Sequence, residues 1–201
     1  MGKRIYISAD YDEEDGDKDV IDELNKWVKD NKHSLDFTDM AQVVSGSVSH
    51  NNPDCRPCDL KREFNQQINQ SSIVVFIVGN KTKYRKSGSQ CGLINRTYHC
   101  TPYKYNVNGS KICNHSSYQS FYQKDVDEVN DNSYLQHEFE QAKYKNKKIV
   151  IFYNSTRYES DWLPSYMHGY ENCAVPFWKI NSYYGYKVGD YETIKRVLGY
   201  E

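Results

Sequence analysis

The sequence predicts one α/β domain over residues 1–201, a flavodoxin-like sheet of five parallel strands with helices on both faces. Three observations carry that expectation. Short apolar runs alternate with segments whose apolar residues recur every three or four positions. Two of the runs, SIVVFIVG at 72–79 and KIVIFY at 148–153, are almost wholly apolar, as strands covered on both faces are. The length suits a single sizeable core.

The elements follow in order. RIYIS (4–8) reads as the first strand. Val20, Ile21, Leu24, Trp27 and Val28 mark the first helix. LDF (35–37) is a short second strand, followed by Thr38 and Asp39. Leu60, Phe64 and Ile68 form one face of a second helix, and 72–79 is the third strand. Leu135, Phe139 and Ala142 give a third helix starting near Ser133, before the strand at 148–153. VPFWKI (175–180) is the expected fifth strand, and Tyr191, Ile194, Val197 and Leu198 close the chain as an amphipathic helix. Between the third strand and its helix lies a polar insert, 83–132, rich in Tyr, Asn, Ser and Cys. It is too long for a structureless loop, so it is expected to carry structure or function over the sheet edge. The strand order expected is 2-1-3-4-5.

Lys plus Arg number 26 and Asp plus Glu 27, for a formal charge of −1, which argues against a general nucleic-acid binder. No apolar run approaches a membrane span and the start lacks an apolar leader core, so a cytoplasmic protein without a membrane partner is expected. In that compartment the six cysteines are expected as thiols or metal ligands rather than disulfides. Cys55 and Cys58 have the spacing of half a zinc site, with Cys91, Cys100, Cys113, His99 and His115 as possible completing ligands. No second Cys-x-x-Cys exists, and free thiols are the stronger expectation.

In such sheets ligands bind beyond the carboxyl ends of the strands, where the winding reverses, here between strands one and three. That places Ser8, Asp10 and Tyr11 at the end of strand one, Asp39 after strand two and Thr82 after strand three as candidate pocket-wall residues. Tyr134 and Glu138 stand four apart at the start of the third helix, on one face, and that face can look into the crevice. A capping or solvated carboxylate is the plainer role for such a glutamate. His137 lies about 100° around the helix from Glu138 and is expected in packing or at the surface. The acidic run ADYDEEDGDKD (9–19) fails as a calcium loop. Counted from Asp10, its sixth place is Asp15 rather than Gly and its twelfth Ile21 rather than Glu, so a solvated loop capping the first helix is expected. NKTKYRK (80–86) is a basic run beside the crevice, either solvated or placed to grip a pyrophosphate.

The run RIYIS…D, then LDFTD, then LKREFNQQINQSSIVVFIVGNKT, then SYLQHEFEQAKYKNKKIVIF resembles a TIR domain, in particular the TIR-like family of bacterial Thoeris anti-phage defence, the ThsB type. The resemblance rests on Ile68-x-x-Ser71 at a helix end, Gly79-x-x-Thr82 at a strand end and Ser133-Tyr134 followed by Glu138. Tyr134 stands where the family has Trp, and the insert at 83–132 is longer than in relatives. The resemblance implies an NAD glycohydrolase or ADP-ribosyl cyclase type of enzyme. NAD would be its substrate, Glu138 its catalytic carboxylate, and its product an ADP-ribose-derived signal, cyclic or conjugated. It implies a phage-derived trigger and a separate effector that reads the signal. The rival expectations are a non-enzymatic TIR scaffold acting by self-association and a module that binds a nucleotide without consuming it.

Overall fold

The computed structural model of the chain describes residues 4–10, 16–29, 37–39, 56–85, 101–105, 111–114 and 133–200; within 37–39, 56–62, 101–105 and 111–114 the description is of backbone alone. Among the described residues the α-helices are α1 (Lys18–Lys29), α2 (Arg56–Gln70), α3 (Tyr134–Tyr144) and α4 (Tyr191–Leu198). The central sheet consists of β1 (Ile5–Ser8), β2 (Phe37–Asp39), β3 (Ile73–Val78), β6 (Lys148–Tyr153) and β7 (Ala174–Pro176), all parallel, in the order β2-β1-β3-β6-β7. Numbered by their own succession, those strands run 2-1-3-4-5, the expected flavodoxin-like order. A second pair, β4 (Thr101–Tyr105) and β5 (Lys111–Asn114), forms an antiparallel hairpin inside the insert.

Every residue of β3 is buried, and so is every residue of β6 after Lys148. Side chains that alternate across the sheet feed two cores. On one face Ile5, Ile7, Val75, Ile77, Val150 and Phe152 pack with Val20, Ile21, Leu24 and Trp27 of α1 and with Ile194 and Leu198 of α4. On the other, Tyr6, Val74, Phe76, Val78 and Ile151 pack with Phe64 and Ile68 of α2 and with Leu135, Phe139 and Ala142 of α3. Burying so many large apolar side chains, at about 1.5–3 kcal/mol each, is what holds the two helical layers on the sheet.

Of the second strand, expected at 35–37, the structure describes Phe37–Asp39, with Ile7 opposite Asp39, and residues 35 and 36 lie outside the described residues. One expected strand is placed differently. The fifth, expected as one run at 175–180, is divided at Phe177. β7 ends at Pro176, and β8 (Trp178–Ile180) leaves the sheet to pair antiparallel with β9 (Lys187–Gly189). Packing is the cause. Phe177 is fully buried between Trp27 at 5.4 Å and Phe152 at 5.8 Å, with Trp178 edge-on at 4.8 Å. Seating that ring turns the chain, and the Trp178 N–H goes to the Ser155 carbonyl instead of continuing the ladder.

Among the described residues no helix is long and apolar enough to cross a membrane.

Candidate functional site

Each of the three short motifs terminates or starts an element next to the sheet. Ser71 closes α2, its hydroxyl donating to the Ile68 carbonyl at 2.8 Å, and Lys147 donates to the Ser71 carbonyl at 2.7 Å. Thr82 closes the turn after β3, its Oγ1 accepting the Gly79 N–H at 2.8 Å. Ser133 caps α3, its Oγ accepting the Gln136 N–H at 3.1 Å. The cap fixes where α3 begins and therefore which residues of its first two turns face the sheet.

Those residues include Glu138, which is 0% exposed. Its carboxylate reaches over the sheet to β1: the Tyr6 hydroxyl donates to Oε1 at 2.5 Å, and the Ser8 hydroxyl donates to Oε2. Tyr6 and Ser8 are two apart on a strand, so they point to the same face. α3 follows β3 and its glutamate is held by β1, so the group spans the β1/β3 boundary where the winding reverses. A buried carboxylate without donors would cost several kcal/mol, whereas a hydroxyl aimed at each oxygen orients it and offsets that cost.

Aromatic side chains pack on the same face of the sheet. Tyr134 stands edge-on to Phe64 of α2, ring centroids 5.6 Å apart. Tyr166 packs on Phe139 at 5.8 Å and is hydrogen-bonded to Ser133. Burial pushes the Tyr166 hydroxyl well above the usual phenol range, and the nearby carboxylates of Glu138 and Glu140 push it further, against the Ser133 hydrogen bond. Tyr166 therefore stays a neutral hydroxyl beside the glutamate. His137, expected in packing or at the surface, is buried.

A second polar cluster lies at the same strand ends on the opposite face. Asp17 is only 4% exposed, contrary to the solvated loop expected over 9–19. Its N–H donates to the Asp10 carbonyl at 2.7 Å. Its carboxylate accepts from Asn154 Nδ2 at 3.0 Å and, at the long distance of 3.5 Å, from Thr82 Oγ1. Asn154 also donates to Asp19 at 2.8 Å and accepts from the Trp178 indole at 2.6 Å. Burial raises the Asp17 pKa to about 6; the Asn154 bond opposes that rise, and Asp10 and Asp19 add to it.

The expected site residues therefore separate. Ser8, Tyr134 and Glu138 come together on the α2/α3 face. Thr82 belongs to the Asp17 cluster, its hydroxyl occupied by Gly79 and Asp17. Asp10 forms an ion pair with Arg85, so that member of the basic run is tied to the end of β1. Asp39 ends β2 at the same sheet edge, described by its backbone alone. Tyr11 and Cys55 lie outside the described residues, and Cys58 stands in the first turn of α2 with its side chain outside the description. Among the described residues no group of three His, Cys, Asp or Glu is placed to hold a metal ion. Tyr6, Tyr166 and Asp17 were not foreseen. For Tyr6 a signal existed: a tyrosine two residues before Ser8 on a buried strand brings a hydroxyl to the same face.

A parallel five-stranded sheet in the order 2-1-3-4-5 with helices on both faces is a flavodoxin-like α/β fold, the fold that TIR domains share. A family model, Thoeris protein ThsB, TIR-like domain, matches residues 6–87, and over that span the chain is similar to that domain. The match takes in β1, β2 and β3 with Tyr6, Ser8, Gly79 and Thr82, and ends before α3. No curated protein matches the chain.

Proposed function

We propose that this chain is an NAD-consuming enzyme of anti-phage defence that breaks the nicotinamide–ribose bond and releases an ADP-ribose-derived signal for a separate effector. The single observation that carries this reading is the placement of Glu138 at the β1/β3 boundary with a hydroxyl on each oxygen, in a chain whose residues 6–87 match a Thoeris TIR-like domain. The chemistry suits one fixed negative charge. When the C1′–N1 bond breaks, the electron pair goes to the pyridinium nitrogen and nicotinamide departs neutral, so no general acid is required. The ribose left behind is oxocarbenium-like, and a preorganised carboxylate stabilises that cation most in the transition state. Water then adds at C1′ and loses a proton, giving ADP-ribose; capture by a nucleophile of the same molecule gives a cyclic product instead. Ser8 and Tyr6 hold the carboxylate, and Tyr134 supplies an aromatic wall. Asp10 and Thr82 act from the neighbouring strand ends, on the Asp17 side of the sheet, rather than on the substrate itself, and Cys55 with Cys58 is proposed as a zinc pair. The protein works in the cytoplasm and answers a phage-derived trigger.

A second reading has an observation of its own. Glu138 is wholly buried and both its oxygens are engaged, as a structural carboxylate in a self-associating scaffold would be. Glu138→Gln separates the two. Nicotinamide release is compared in phage-challenged cells carrying wild type or variant, with thermal melting of both purified proteins as a folding control. Enzymatic use of Glu138 predicts a fall of roughly 10²-fold or more with NAD affinity little changed. Equal release from the two challenged strains would remove Glu138 from the chemistry and favour the scaffold.

A further inference from the structure

We infer that Asn65, on α2, is a specificity-determining residue that reads the carboxamide of the nicotinamide ring; the inference rests on the reading of this site as an NAD site. Asn65 is 3% exposed, and neither its amide nitrogen nor its amide oxygen has a hydrogen-bond partner. Buried side-chain amides are nearly always satisfied, and two unsatisfied atoms on one side chain are a marked exception that calls for a reason.

The location supplies one. α2 and α3 each link parallel strands from the same face of the sheet, so they run side by side in the same direction. Two contacts fix their alignment. Phe64 meets the Tyr134 ring, and Gln141 Nε2 donates to Asn69 Oδ1 at 2.9 Å. Asn65 is one turn before Asn69, as His137 is one turn before Gln141. Asn65 therefore stands on the α2 wall of the seam, level with His137 and so one residue along α3 from Glu138. Glu138 is assigned to the ribose C1′, and the group attached to that carbon is the nicotinamide ring. A primary carboxamide presents one donor edge beside one acceptor. An asparagine amide presents the complement, so the two can close a paired N–H···O arrangement that satisfies both atoms of Asn65 at once. An apolar residue here would pack better and bind this ring worse.

The test compares NAD with its 3-acetylpyridine analogue, which keeps the carbonyl and lacks the amide N–H. Dissociation constants are measured calorimetrically on the resting wild-type protein and on Asn65→Leu, with the melting temperature of each recorded. Wild type should bind NAD at least tenfold more tightly than the analogue, and Asn65→Leu should bind the two alike while melting no lower than wild type. A variant that keeps the wild-type preference overturns the inference. So does a wild type with no preference, including one that binds neither dinucleotide. The outcomes are separable from those of the catalytic reading. Discrimination that depends on Asn65 without nicotinamide release would leave this inference standing and sink the cleavage reaction. Release with unchanged discrimination in Asn65→Leu would do the reverse.

Discussion

Glu138 and Asp17 are both buried carboxylates at the carboxyl edge of one sheet, Glu138 beneath α2 and α3 and Asp17 at the entrance of α1 on the other face. Glu138 receives a hydroxyl on each oxygen from a single strand, β1. Asp17 receives one good amide bond and one long hydroxyl contact, and its near neighbours include two more carboxylates, Asp10 and Asp19. Those two are themselves occupied, Asp10 by Arg85 and Asp19 by Lys187 at 2.9 Å. The first arrangement supplies a donor to each oxygen; in the second, burial and neighbouring carboxylates penalise the charge. The difference teaches that burial alone does not describe a carboxylate. What distinguishes Glu138 is the supply of donors from the strand at which the winding reverses. Asp17 is a latch, joining the end of β1 to the turn after β3 and to the end of β6.

The largest effect should come from neutralising the latch. The folded pKa of Asp17 is raised from 3.8 to about 6. A carboxyl group so shifted binds its proton more tightly folded than unfolded. Its contribution to stability is complete below pH 3.8 and is lost as the pH rises through about 6. Two pKa units correspond to about 3 kcal/mol. Asp17→Asn keeps an acceptor for Asn154 and carries no charge, so it should stabilise the protein by up to about that amount above pH 6 and remove the decline between pH 4 and 7. Urea unfolding of both proteins at pH 4.5, 6 and 7.5 measures this. A variant less stable than wild type at pH 7.5 would mean that the charge is needed, and the contrast with Glu138 would collapse.

A somewhat smaller effect is expected where the latch meets β3. A methyl group built on Gly79 would run into the Asp17 carboxylate. The backbone there must approach Asp17 closely for the Gly79 N–H to reach Thr82. Gly79→Ala should therefore cost about 2 kcal/mol by overpacking, seen as a lower urea midpoint with an unchanged slope. In the Asp17→Asn background the clash persists, so a full loss there too would assign it to space rather than to charge.

These two positions also show where the sequence is readable. Strand and helix positions were legible because periodicity reports burial directly, as in 73–78 and in the face of Phe64 and Ile68. Ser133 and Glu138 were legible because a cap and a four-residue spacing fix a helix face. Asp17 was not, since a run such as DEEDGDKD carries no mark of which member the fold will bury. That choice is made by Asn154 and Gly79, far away in the chain. Asn65 was hidden for the same reason: next to Phe64 it reads as an ordinary polar position, and only the seam with α3 encloses it. The break at Phe177 was unreadable because VPFWKI alternates well enough for one strand. Its division follows from the ring stack with Trp27 and Phe152. The hairpin within the insert bears out the expectation that 83–132 carries structure, though the shaping of a pocket by that insert falls largely on residues outside the description.

The smallest effect tests the other half of the comparison, the donors on Glu138. Tyr6 is 1% exposed and its ring belongs to the core beneath α2 and α3. Tyr6→Phe keeps that packing and removes one hydroxyl. Ser8 still donates to Oε2, so the carboxylate loses only one of these two anchors. A hydrogen bond to a charged group is worth about 1.5 kcal/mol at the lower end of its range, close to a tenfold change. Stability should fall by about that amount at pH 7.5. Nicotinamide release by the triggered protein should fall roughly tenfold, with little change in NAD affinity, because the hydroxyl orients the carboxylate rather than the dinucleotide. Phenylalanine at position 6 with full stability and full release would mean that Ser8 alone suffices to hold Glu138. Lost stability with full release would instead place the Tyr6 bond among the structural contacts of the fold and leave the two carboxylates less different than their donors imply.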